Sequence, residues 1–364
     1  MNNKELILHI GMPKTGSTAI QEYYNKNRDF ILNEGILYPI AGCEDRAHRI
    51  LFEALTNNSK NFDIFWKNLK DEINKYPNKR VLISSEDLFF LNNYQISELS
   101  KKIKNYFKFN IITIIVFLRR QDLWAESWYN QSVKAKKIKY KKNFKKFLIS
   151  STKVKRTLDY FTILENWISN FKRNKFLVNV YEFPKSDHQD IVKKFNKLIN
   201  VNTHTHLLND NRLNVSLDPI EVEIIRLINN HETNDEIRNI LIKYFQSRVN
   251  KKSILLKNDI YYFSESSRNK FMDRCKSSND KVLKKYFSKS LTLFSDHTTY
   301  NKIQKFTFLY LIKILPDLKN FLTVNLKKDY NYYKPYIRKL FLAYFTGKFK
   351  SFFQLNKKYE IIKS

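Results

Sequence analysis

The sequence predicts an α/β protein with a mostly parallel central sheet flanked by helices and a helical C-terminal extension. Three observations predict it. Four short, largely apolar runs, at residues 6–10 (LILHI), 80–84 (RVLIS), 111–118 (IITIIVFL) and 176–180 (FLVNV), have the length and content of buried strands. Segments with helical apolar spacing separate them, the alternation from which parallel sheets are built. After about residue 215 the strand signal stops and only helical spacing follows.

In chain order, residues 6–10 form the first strand, residues 11–16 a turn with two of the chain's five glycines, and residues 20–32 a helix. Residues 35–39 (GILYP) read as a short connection. Residues 47–55 carry His48, Leu51, Phe52 and Leu55 at helical spacing, and residues 62–76 form an amphipathic helix stopped by Pro77. The run 80–84 ends in Ser84, Ser85, Glu86 and Asp87. A helix over 96–107 precedes the β-branched run 111–118, which reads as a central strand. Helices are expected at 119–133 and 190–199, on either side of the strand at 176–180. Further helices are expected at 219–229, 234–248 and 264–287. Loops at about 40–75, 134–175 and beyond 205 are expected to shape a cleft.

The 364 residues suit one large domain, expected over 1–297, with a basic and aromatic extension over 298–364. Lys plus Arg number 66 against 35 Asp plus Glu, a formal charge of +31, which favours anionic partners. The lysines are spread along the whole chain, so a solvated basic surface accounts for most of that charge. Cys43 and Cys275 lie far apart without metal-type spacing, and His204 and His206 have no acidic or Cys partner at useful spacing. No metal is expected. The apolar runs are too short for a leader or a membrane span, so a cytoplasmic protein is expected.

The chemistry concentrates in Pro13, Lys14, Thr15, Gly16, Ser17 and Thr18. A strand, a glycine turn and a helix start aim backbone N–H groups at an anion. A Walker A loop needs Lys directly before Ser or Thr, whereas here Ser17 follows Gly16 and the lysine stands at position 14. The run GMPKTGST resembles the 5′-phosphosulfate loop of sulfotransferases that use 3′-phosphoadenosine 5′-phosphosulfate (PAPS). A second segment agrees: Arg119, or Arg120 beside it, at the end of the strongest strand, with Ser127 eight residues beyond Arg119, resembles that family's 3′-phosphate site. A guanidinium fork with a hydroxyl suits a phosphate. Weaker likenesses to bacterial carbohydrate sulfotransferases lie at residues 212–217, Asn279, 286–287 and 293–294. The resemblance covers roughly residues 4–297 and implies a P-loop-like sulfotransferase fold.

It also implies roles. Lys14 would stabilise the leaving phosphate, and PAPS would be the donor with no metal required. Glu86, after the second long strand, is the first candidate for the base, although it or Asp87 equally suits a helix cap. His48 is the second candidate, and His9 reads as structural. The acceptor would be a carbohydrate hydroxyl or amine on a surface polysaccharide or glycolipid. The tail would make peripheral membrane contact or cover the acceptor, and nucleic acid is not an expected partner. Two rivals remain at the sequence level: an ATP-dependent P-loop kinase, and a non-catalytic nucleic-acid- or membrane-binding protein.

Overall fold

A computed structural model of the chain describes residues 4–56, 62–172, 174–182, 189–208, 217–230, 235–248, 262–287 and 290–295, with isolated positions 319, 320 and 323. Strands β1 (Glu5–His9), β2 (Ile36–Leu37), β3 (Arg80–Ser84), β4 (Ile111–Leu118) and β5 (Lys175–Val180) form one sheet in the order β2-β3-β1-β4-β5. All pairs are parallel, with Leu6 beside Val81, Leu6 beside Ile112, and Ile114 beside Phe176. β1 is therefore central, and the β-branched β4 is buried from Ile112 to Leu118. Residues 36–37, expected as a connection, form the edge strand beside β3. A two-residue pairing leaves almost no periodic signal, so tertiary pairing decides it.

Helices α1 (Ser17–Lys26), α2 (Arg28–Asn33), α3 (Arg49–Thr56), α4 (Phe62–Lys75), α5 (Asn93–Tyr106), α6 (Gln121–Lys134), α7 (Phe144–Ser150), α8 (Thr152–Thr157), α9 (Tyr160–Asn170), α10 (Gln189–Leu198), α11 (Pro219–Asn230), α12 (Asp235–Arg248) and α13 (Glu265–Tyr286) complete the described elements. The single helix expected over 20–32 is broken at Asn27, whose side-chain amide donates to Tyr23 O at 2.8 Å. That local bond competes with the helical ladder. Residues 134–175, expected as loop, hold α7, α8 and α9. In α9 the buried Tyr160, Ile163, Leu164 and Trp167 are spaced as one helical face, and Asp159 caps Thr162 N–H at 3.0 Å.

One core cluster joins Ile7, Leu82, Ile115 and Phe117 of the sheet to Ile20, Tyr23 and Tyr24 of α1 and to Ile191, Val192 and Phe195 of α10. The pleat puts the buried Leu6, Leu8, Val81, Ile83, Ile114 and Val116 on the opposite face. Each such side chain contributes about 1.5–3 kcal/mol by burial. The rear face of the sheet thus fixes α1, and α1 carries the glycine turn.

The chain divides into two compact units. The first, drawn from Met1–Trp124, Ser151–Asn214 and Asn269–His297, holds all five strands. The second, drawn from Ala125–Ser150, Val215–Arg268 and Thr298–Ser364, holds helices and no strand among its described residues. Within the second, the Tyr129 ring stands edge-on to Phe144 and its hydroxyl donates to Glu223 Oε1 at 2.7 Å. Buried Arg238 donates to Asn229 Oδ1 at 2.7 Å and to Val133 O at 2.9 Å. The expected extension over 298–364 lies, but for three positions, outside the described residues, as does most of the 212–217 segment.

Among the described residues, no helix is long and apolar enough to cross a membrane.

Candidate active site

Three strand ends build the site. β3, β1 and β4 are neighbours, so the segments leaving them meet at one edge of the sheet. Ligands of parallel α/β sheets bind at that edge. Backbone bonds fix the three segments: Ser85 N–H donates to His9 O at 3.0 Å, Phe117 N–H to Gly11 O at 2.8 Å, and Met12 N–H to Phe117 O at 3.2 Å.

The loop after β1 is braced from within. Gly11, Lys14 and Gly16 have φ of 97°, 68° and 81°, the left-handed region. A Cβ on Gly11 would lie 2.7 Å from Glu86 Cα and 2.9 Å from Glu86 O, so glycine alone lets the loop lie against Glu86, two residues past β3. Thr15 Oγ1 donates to Met12 O at 2.6 Å, Ser17 Oγ to the same oxygen at 3.3 Å, and Trp124 Nε1 to Pro13 O at 2.8 Å. The hydroxyls of Thr15 and Ser17 therefore shape the loop. Gly16 is the N-cap of α1 and that helix start has no side-chain cap. Its first-turn N–H groups and the positive helix end suit an anion. Lys14 and Thr18 are half-buried.

The second cationic element joins the first. The expected helix over 119–133 begins two residues late, at Gln121, leaving Arg119 and Arg120 in the connection after β4. Arg119 Nη1 donates to Lys14 O at 2.8 Å, its guanidinium lies 5.8 Å from the Tyr181 ring centroid, and Tyr160 OH donates to Arg119 O at 2.7 Å. Arg120 Nε instead pairs with Asp122 Oδ1 at 3.2 Å. Of the two arginines, Arg119 meets the loop. Asn279, noted in the sequence, holds this corner by exchanging amide bonds with Gln121 at 2.6 and 3.2 Å. Ser127 is half-buried on α6 and belongs to the second unit.

The carboxylates follow β3 in a 3-10 turn over Glu86–Phe90. Gln21 Nε2 donates to Glu86 Oε2 at 2.6 Å and to Ser84 Oγ at 3.3 Å. Asp87 Oδ1 lies 3.8 Å from Lys153 Nζ, which also sits 4.7 Å from the Phe90 ring centroid. Burial raises the Asp87 carboxyl, with the Glu86 charge adding to it and Lys153 and Arg49 opposing. Burial lowers the Lys153 ammonium although Asp87 and Glu86 support it. Burial thus outweighs the attraction within this pair.

His48 does not serve as the second candidate base. Its ring is buried, its Nε2 donates to Pro39 O at 3.0 Å, and its Nδ1 accepts from Ser84 N–H at 3.1 Å. A carbonyl only accepts and an amide N–H only donates, so both nitrogens are committed and the ring is neutral. Burial pushes His48 down to about 4 and His9 down to about 3. His9 Nδ1 lies 2.8 Å from Ser84 Oγ. Both histidines grip Ser84 and so steady the strand end that carries Glu86.

Sequence reasoning missed Gln21, Ser84 and Lys153. Gln21 lies four residues after Ser17 on α1, so helical spacing puts it on the loop's face. Nothing local marks its partner 65 residues away. Among the described residues, no group of three or more His, Cys, Asp or Glu is placed to hold a metal ion. His204 Nε2 stands 3.7 Å from Glu34 Oε2.

Fold and site together define an α/β protein with a glycine loop, an arginine joined to it and a carboxylate beside it, at the carboxyl edge of a parallel sheet. No family model matches the chain. An uncharacterized protein of Archaeoglobus fulgidus is 26% identical over 208 residues, which are 57% of this chain and 54% of that protein. The chain thus spans about half the length of the curated relative it matches. Among solved structures, a sulfotransferase from Alicyclobacillus acidocaldarius aligns at 15% identity over 70% of this chain and 96% of its own, with a TM-score of 0.36. Mouse sulfotransferase SULT7A1 complexed with PAP aligns at 14% identity over 79% and 89%, also with a TM-score of 0.36.

Proposed function

We propose that the chain is a sulfotransferase that moves a sulfuryl group from PAPS to a carbohydrate hydroxyl or amine. The observation that carries this is the bond from Arg119 Nη1 to Lys14 O, 2.8 Å, which makes the glycine loop and the strand-end arginine one site. PAPS has two anionic ends, and two joined cationic elements match them. The loop N–H groups and Lys14 would hold the 5′ end, and Arg119 the 3′-phosphate. The loop has no lysine directly before Ser17, which counts against a kinase-type triphosphate cradle.

Transfer is an in-line displacement, comparable in its needs to phosphoryl transfer. The acceptor oxygen bonds to sulfur as the bond from sulfur to the bridging phosphate oxygen breaks. Glu86 takes the acceptor's proton, and Lys14 neutralises the charge that develops on the leaving adenosine 3′,5′-bisphosphate. The acceptor is a surface polysaccharide or glycolipid glycan. The basic tail would hold the enzyme at an anionic membrane face from the cytoplasm. Deleting residues 298–364 should then weaken liposome or acceptor binding and spare nucleotide affinity.

The experiment is calorimetric titration with adenosine 3′,5′-bisphosphate against ATP plus magnesium. Tight binding of the former and little of the latter is expected, and preference for ATP would overturn the assignment. Glu86→Gln should bind the bisphosphate as wild type does and lose turnover. Wild-type rates in that variant would remove Glu86 as base.

A further inference from the structure

We propose that Gln21 is a positioning residue that fixes the Glu86 carboxylate against the anion loop, an inference that rests on the sulfotransferase assignment above. Gln21 is 2% exposed, yet its amide reaches a half-buried carboxylate. Its Nε2 donates to Glu86 Oε2 at 2.6 Å and to Ser84 Oγ at 3.3 Å. An ionised carboxylate only accepts, so the amide group facing Glu86 is the NH₂. Both amide protons thus go to residues that flank one position, Ser85.

The two Glu86 oxygens differ. The bond from Gln21 goes to Oε2, and the half-buried carboxylate keeps Oε1 as its second acceptor. A base needs such a division: one oxygen that sets the orientation and one left for the acceptor's proton. The backbone of Glu86 is fixed separately by its contact with Gly11. Ser84 is held by His9 and His48. Among these supports, Gln21 is the one that reaches the carboxylate itself. It also sits on α1, whose N-terminus forms the anion loop, so the acceptor's base is referenced to the donor's site. A misplacement of about 1 Å in such a group costs on the order of a hundredfold in rate.

The test compares wild type, Gln21→Leu, the isosteric Gln21→Glu and Glu86→Gln. Each is measured for unfolding midpoint, calorimetric affinity for adenosine 3′,5′-bisphosphate, and release of that bisphosphate from PAPS with water as acceptor. A crystal structure of each Gln21 variant with the bisphosphate locates the Glu86 carboxylate. We expect both Gln21 variants to keep bisphosphate affinity within about threefold, to release it at least about tenfold more slowly, and to show the carboxylate turned from its wild-type direction. A carboxylate that stays in place, or one that moves without slowing release, overturns the proposal. Should Gln21→Leu fail to fold, Gln21→Glu, equal in size, decides. Full release by Glu86→Gln, or no release by wild type that binds the bisphosphate, counts against the assignment of the reaction. The crystallographic arm still decides whether Gln21 sets the carboxylate.

Discussion

Mild acid should destabilise this protein through two buried histidines. His9 and His48 are buried and grip Ser84 from either side. Burial lowers them from 6.5 to about 3 and about 4. In the unfolded chain both regain a value near 6.5, so below that pH the unfolded state takes up protons that the folded state refuses. Their neutral forms cost nothing above about pH 7, and stability falls as pH drops through 6.5 towards 4 and 3. At pH 5 each is about 1.5 pH units below its unfolded value, which is about 2 kcal/mol, or about 4 kcal/mol for the pair. That is a large share of the roughly 5–15 kcal/mol that holds an ordinary domain together. Asp87, raised by burial, works in the opposite sense and offsets part of the loss at the acid end. Urea unfolding followed by tryptophan fluorescence at pH 8, 6.5 and 5 measures it. Below pH 6 the slope should approach two protons, about 2.7 kcal/mol per pH unit. His48→Asn should halve that slope whatever it does to stability at pH 8. Equal stability at pH 8 and pH 5, or an unchanged slope in both His9→Asn and His48→Asn, would refute the assignment of these rings as neutral braces.

Lys14→Ala should cut turnover by about 10²–10³-fold while affinity for adenosine 3′,5′-bisphosphate drops far less, because the charge it meets develops as the bond to sulfur breaks. Parallel losses in steady-state rate and calorimetric affinity would make it a binding residue only. Arg119→Ala should weaken bisphosphate binding by roughly 10–100-fold, the worth of a lost charge-assisted contact, and an unchanged isotherm would remove Arg119 from the 3′-phosphate site. Gly11→Ala places a Cβ 2.7 Å from Glu86 Cα at a φ of 97°. It should cost about 2 kcal/mol or more in urea unfolding, and a wild-type midpoint would show that the loop and Glu86 do not touch there.

The sequence by itself determined four of the five strands, the loop and most helix limits, because these depend on near neighbours. The run 111–118 is apolar and β-branched enough to be a buried strand in any context, and it is β4. Pro77 stops α4, and two glycines with Lys14 mark a turn that only a loop tolerates. The same local patterns left signals unused: Tyr160, Ile163, Leu164 and Trp167 spell α9 inside a segment expected to be loop.

Only the tertiary structure decided which distant groups meet. The order β2-β3-β1-β4-β5 brings Glu86 to Gly11 and Gln21, and His9 to Ser84, across 65 to 75 residues of chain. No periodicity encodes those pairings. Burial was equally unreadable, and burial sets whether an imidazole titrates near neutral pH or stays neutral. His48 therefore resembled a base in the sequence and is a brace in the fold. A side chain's type is written in the chain, but its basicity and its partners belong to the space that the sheet encloses.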